Sequence, residues 1–184
     1  MRGPDRRRDR FCALYEENYH RILGYALRRT DSSEAADVVA ETFTTAWRRL
    51  DQVPEGDAAR LWLYGTARRV LANHRRAQRR RERLSGRLQQ LARGPVTSEH
   101  EELGDLSAAF ARLSEGEREL LALAGWEELG AGEIAEVLGC SRNAARIRLH
   151  RARRRLAGEL ARVKRLNGGG HVSFVKSIGT EELL

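Results

Sequence analysis

Between Ser141 and Leu156 the chain carries seven arginines (Arg142, Arg146, Arg148, Arg151, Arg153, Arg154 and Arg155) and no acidic residue. A guanidinium is a planar fork of donors that pairs with guanine O6 and N7 or with phosphate oxygens, so the composition points to nucleic acid. The spacing gives the same stretch one apolar side, because Ala145, Leu149, Ala152 and Leu156 recur at i, i+4, i+7 and i+11. A helix that docks N-terminus first in a major groove presents its opening turns to the base edges. Arg142, Asn143 and Arg146 are therefore the expected base readers. Arg148, His150 and Arg151 complete the expected DNA-facing set.

Other chemistry finds little support. There is no glycine-rich phosphate loop, no nucleophile with a partner and no His/Cys spacing suited to a metal. His20, His74, His100, His150 and His171 are scattered, and His74 is expected to be a packing residue on the inward side of its helix. Cys12 and Cys140, each among apolar neighbours, are expected to be small buried residues without chemistry. No catalytic residue, metal or cofactor is expected, and an enzyme acting on nucleic acid is disfavoured.

The elements that must position the arginines follow from periodicity and punctuation. Upstream, the run from Glu133 to Leu149 has helix-turn-helix grammar: Ala135 allows close approach of two helices, Gly139 supplies the turn and Ser141 can cap the next helix. Helices are predicted over about 105–113, 115–124, 131–138 and 142–164. In the first half they are predicted over 11–29, 33–50 and 58–83. Only three prolines and long Ala/Leu/Arg/Glu stretches make the chain all-α.

Two further charged faces emerge. In 33–50, Ala36, Val39, Phe43, Ala46, Trp47 and Leu50 are expected on one side, with Glu34, Asp37 and Glu41 opposite. That acidic stripe serves either solubility or a basic partner. In 58–83, Ala59, Leu63, Val70 and His74 are expected inward, while Arg68, Arg75, Arg76, Arg79 and Arg83 line the other side as a rail. Between them lies a polar loop, 51–57, in which Pro54 and Gly56 disfavour helix.

At 184 residues the chain suits two small domains. Its net charge of +8 is unevenly spread: residues 1–94 carry +9, 95–141 carry −9 and 142–184 carry +8. The expected organisation is a basic arm at 1–10, a helical domain at 11–83, a linker at 84–104 and a helix-turn-helix domain at 105–165. A flexible tail, with Gly168, Gly169 and Gly170, is expected at 166–184. No apolar run of about 18 residues could cross a bilayer, and no apolar signal core follows the charged N-terminus, so a cytoplasmic location is expected.

Glu133-Ile134-Ala135 through Leu138-Gly139, then Arg146, Arg148-Leu149 and Arg151 to Leu156, resembles region 4.2 of the extracytoplasmic-function (ECF) sigma factors of bacterial RNA polymerase. Independently, Ala35 to Phe43 with Ala46-Trp47 resembles region 2.2, and Trp62-Leu63-Tyr64 with Ala67-Arg68 resembles regions 2.3 and 2.4. The resemblance implies two helical domains that bring core polymerase to −10 and −35 promoter elements and perform no reaction of their own. It implies that Asp37 and Glu41 dock on the β′ clamp, with contacts to β as well, and that an anti-sigma factor is a candidate partner. It also implies that the 51–57 loop captures a flipped −10 base, with Asp51 and Gln52 as candidates, while Arg68, Arg75, Arg76 and Arg79 hold phosphates nearby. Trp62 is expected to pack in the core. Arg69, Ala131 and Ile147 depart from the family pattern, so promoter preference does not transfer. A stand-alone helix-turn-helix regulator, binding its operator without polymerase, is the alternative.

Overall fold

The computed structural model describes residues 3–84 and 101–167. Most of the expected 84–104 linker and of the 166–184 tail therefore lies outside the described residues. Among the described residues seven α-helices follow one another: α1 (Gly3–Leu27), α2 (Ser32–Arg48), α3 (Asp57–Leu84), α4 (Glu101–Ala111), α5 (Glu115–Gly125), α6 (Ala131–Leu138) and α7 (Arg142–Asn167). A short 3₁₀ turn, Leu50–Gln52, sits between α2 and α3. Among the described residues there is no strand.

Helices α1, α2 and α3 form one compact unit, with which Gly132–Ser141 is also grouped, and α4, α5 and α7 form the other. In the first unit each of the three helices packs on the other two. Ile22, Tyr25 and Ala26 of α1 meet Ala35, Val38 and Ala46 of α2 and Leu63 and Ala67 of α3 in a core with no residual exposure. Each fully buried Leu, Ile or Val side chain contributes about 1.5–3 kcal/mol. The polar groups drawn into that core are satisfied along their own helices, Thr42 donating to the Val38 carbonyl and Asn18 to the Leu14 carbonyl. Asp31 caps α2 by accepting the Glu34 amide at 2.9 Å.

Three expectations need correction here. The buried arc of α2 is Ala35, Val38, Val39, Thr42, Phe43 and Ala46, whereas Ala36 is exposed and Trp47 is 41% exposed. Because α2 is covered by both α1 and α3, its inward direction is set by two neighbours and not by the sum of its apolar side chains. Cys12 is exposed, since α1 turns that side to solvent. The basic N-terminal segment is helical from Gly3 and continuous with α1, so the first helix starts well before Phe11.

In the second unit α4 and α5 both pack on α7. Leu113, Leu123, Ala145, Ala152 and Val163 are buried there. A capping box starts α5: the Glu117 amide donates to Ser114 Oγ at 3.3 Å, and the Ser114 amide donates to Glu117 Oε2 at 2.8 Å. The Ser114 hydroxyl, then its amide, hold the Glu117 carboxyl below its ordinary pKa, with Arg155 adding to the effect against the opposing cost of burial. Past the end of α5, Glu128 adopts φ +56°, a left-handed conformation that a glycine would take more easily. Helix α6 closes in a Schellman motif, the Cys140 amide donating to the Ala135 carbonyl at 2.9 Å and the Gly139 amide to the Glu136 carbonyl at 3.2 Å. Gly139 has φ +65°, which is the turn its position predicts.

Candidate nucleic-acid and partner-binding surfaces

The turn at Gly139 delivers the chain into α7, whose apolar stripe is set by packing. Ala145, Leu149 and Ala152 are buried and Leu156 is half-buried, as their spacing predicts. With that side fixed inward, Arg142, Asn143, Arg146, Arg148, His150 and Arg151 are all exposed. Arg146 Nη2 donates to Asn143 Oδ1 at 3.1 Å, so two of the expected base readers already form a pair one turn apart. Ile147, 41% exposed, adds apolar surface beside them. A helix with this surface can read base edges through its first two turns and hold phosphates farther along.

On α3 the rail is only partly free to meet an external anion. Arg68 and Arg79 are exposed, and so is Arg76, which donates to Asn73 Oδ1 at 2.6 Å. Arg75 is half-buried and donates to the Arg29 carbonyl at 3.3 Å, which ties α3 to the end of α1. Trp62 is half-buried, in a position intermediate between core and surface.

The acidic stripe of α2 is more structured than its spacing suggests. Asp37 is exposed. Glu41 accepts from His74 Nε2 at 2.8 Å, and Glu34 lies 3.5 Å from His74 Nδ1 while also accepting from the Thr30 hydroxyl. His74 is thus no mere packing residue. It clips α3 to α2 through two carboxylates, and only Asp37 and the outer part of Glu41 remain for a partner. No local spacing could have revealed this, because His74 and Glu41 are 33 residues apart.

The loop after α2 is anchored at both ends by the burial of Leu50 and Val53, while Asp51, Gln52, Pro54 and Glu55 are exposed. Gly56 takes φ +62° and lets the chain turn into α3. Asp51 is ion-paired with Arg7 at 3.2 Å. Arg7 Nη2 also donates to the Trp47 carbonyl at 2.6 Å, and its guanidinium lies 5.2 Å from the Trp47 ring centre. Arg10 Nη2 donates to the Val53 carbonyl at 2.6 Å. Phe11 stands edge-on to Trp47 at 5.1 Å. None of Arg7, Arg10 and Phe11 was expected at this loop. The one available signal was their i, i+3, i+4 spacing on the basic segment.

Comparison with known proteins gives two family matches, described as sigma-70 region 2 over residues 14–81 and sigma-70 region 4 over residues 103–156. The chain is 33% identical over 153 residues to the ECF RNA polymerase sigma factor SigL of Mycobacterium tuberculosis, covering 78% of this chain and 85% of that protein. It is 30% identical to the RNA polymerase sigma factor YlaC of Bacillus subtilis, covering 79% of this chain and 89% of that protein. Among solved structures, the sigma factor RpoE in complex with the anti-sigma factor NepR from Bartonella quintana shares the fold, with a TM-score of 0.64 at 23% identity over 82% of this chain and 96% of that one. CnrH in complex with the cytosolic domain of CnrY matches with a TM-score of 0.57 at 26% identity over 83% of this chain and 88% of that one.

Proposed function

The chain belongs to the sigma-70 family as an ECF RNA polymerase sigma factor, and from that premise we propose how its two units divide promoter recognition. It binds core polymerase and directs initiation at promoters; bond formation is the work of the polymerase. The second unit places α7 in the major groove of the −35 element, where Arg142, Asn143 and Arg146 read bases and Arg148, His150 and Arg151 contribute further contacts. The first unit lays α3 along the −10 element, with Arg68, Arg76 and Arg79 on phosphates and Arg75 supporting the helix they stand on. The loop around Asp51 and Gln52 receives a base unstacked from the non-template strand, and the loop contacts must offset the few kcal/mol that unstacking costs.

Helix α2 meets the β′ clamp of the polymerase through Asp37 and Glu41, with β contacted elsewhere. An anti-sigma factor is a further partner, since RpoE and CnrH are each seen held by another protein. The observation that carries the whole is the pair of exposed arginine faces on two separate helical units, each within a segment that matches one sigma region. On this reading 11–83 and 105–165 are the two recognition domains, and Gly132–Ser141, although grouped with the first unit, leads along the chain into the DNA-reading helix of the second. Among the described residues no helix is long and apolar enough to cross a membrane.

Run-off transcription from a library of genomic promoters, with core polymerase in the presence and absence of the chain, tests this. New start sites that require both are the expected result. Tight binding to one operator without polymerase, and no new start sites, would instead favour the stand-alone regulator.

A further inference from the structure

The segment that matches sigma region 2 begins at residue 14. Arg7, Arg10 and Phe11 precede it, on turns of α1 that continue the matched helix without a break. Their side chains do not point at random into solvent. They converge on the stretch from Trp47 to Val53, where α2 ends, the 3₁₀ turn forms and the loop begins.

The hydrogen bonds made there are those the local backbone lacks. The last four carbonyls of an α-helix have no amide partner in a continuing turn. Trp47 is one residue from the end of α2, and its carbonyl accepts from Arg7 Nη2 at 2.6 Å. Val53 ends the 3₁₀ turn, and its carbonyl accepts from Arg10 Nη2 at 2.6 Å. Arg7 also reaches both carboxylate oxygens of Asp51, at 3.4 and 3.2 Å. Its guanidinium lies over the Trp47 ring while Phe11 meets the same ring edge-on. An ion pair with a carboxylate 85% exposed stabilises little by itself. Two charge-assisted bonds to backbone carbonyls on either side of one short turn, joined by an aromatic contact, fix its path.

We infer that Arg7 and Arg10, with Phe11, form a clasp that sets the shape of the 51–56 loop and are positioning residues for its capture of a −10 base. This rests on the proposed base-receiving role of the loop. The clasp holds Asp51 against Arg7 and leaves Gln52, the neighbour held by no clasp residue, to face the base. Promoter selectivity at that base would then depend on residues lying before the matched family segment.

The test uses holoenzyme assembled from core polymerase and the full chain, with forked promoter DNA carrying 2-aminopurine at successive non-template −10 positions. Two variants are compared with the parent: Arg7→Gln with Arg10→Gln, and Gln52→Ala. The expected result for the double glutamine variant is an affinity loss of about tenfold, the size of one charge-assisted hydrogen bond. Base preference should relax at the unstacked position alone, with −35 duplex affinity and core binding unchanged. Amide exchange at residues 50–56 should accelerate in the same variant. Unchanged fork affinity and unchanged exchange in the double glutamine variant, with Gln52→Ala still weakening the fork, would overturn the clasp and leave the loop's role standing. If Gln52→Ala has no effect either, and no 2-aminopurine position reports unstacking against the loop, the base-receiving role falls and the clasp proposal falls with it.

Discussion

Arg146 and His74 show how differently two exposed or half-exposed side chains can be used. Arg146 stands on the exposed side of α7 and, among the described residues, donates to Asn143, so the rest of its fork of donors can meet a base pair. Arg146→Ala is expected to cost about 1–3 kcal/mol on a matched −35 site and to relax preference at one base pair. Arg68→Ala, at an exposed rail position, is expected to weaken promoter binding uniformly and to flatten its salt dependence. Equal losses for Arg146→Ala on matched and scrambled −35 duplexes, measured by titration, would remove its reading role. His74 acts inside the protein. It bridges Glu41 at 2.8 Å and Glu34 at 3.5 Å, so His74→Ala is expected to destabilise the chain by about 1 kcal/mol in urea unfolding. Much of that cost should vanish in a Glu41→Ala background, because the shared interaction is already gone. Strict additivity of the two substitutions would show that the clip contributes nothing.

At the scale of the helix, the start of α5 offers a local test. Ser114→Ala removes one half of the capping box and is expected to cost about 1 kcal/mol. Glu117 supplies the other half, and its carboxyl titrates below its ordinary value because the Ser114 hydroxyl and amide favour the charged form. A depressed carboxyl contributes stability that is present above its unfolded pKa, 4.5, and is lost as pH falls through the folded value. Thermal unfolding of Glu117→Gln should therefore show a lower stability at neutral pH and a flatter decline below about pH 4.5 than the parent. Coincident curves would rule out the box as a source of acid sensitivity. Past the same helix, Glu128→Gly is expected to raise the melting temperature, since φ +56° costs about 1 kcal/mol for a side-chain-bearing residue.

For the molecule as a whole, the proposed function depends on three charged surfaces: arginines on α3, arginines on α7 and carboxylates on α2. On that proposal the basic and acidic faces have separate tasks, and a substitution should separate them too. Asp37→Arg is expected to abolish co-purification with core polymerase while the chain's own binding to −35 duplex is retained, because Asp37 belongs to the first unit and the −35 readers of α7 to the second. Retention of full core affinity would remove α2 as the docking helix.

Much of this was already written in local spacing. The apolar stripe of α7, the turn at Gly139 and the exposure of Arg142, Asn143 and Arg146 follow from a 3.6-residue period and from a glycine's freedom at positive φ, both properties of a few adjacent residues. The all-α class and the order of the helices followed in the same way. What needed the tertiary structure were the pairings across helices: His74 with Glu34 and Glu41, Arg75 with the end of α1, Arg7 and Arg10 with the loop, and the side of α2 that faces inward. These join residues tens of positions apart, and their partners are chosen by how three helices pack, which no periodicity within a single helix encodes.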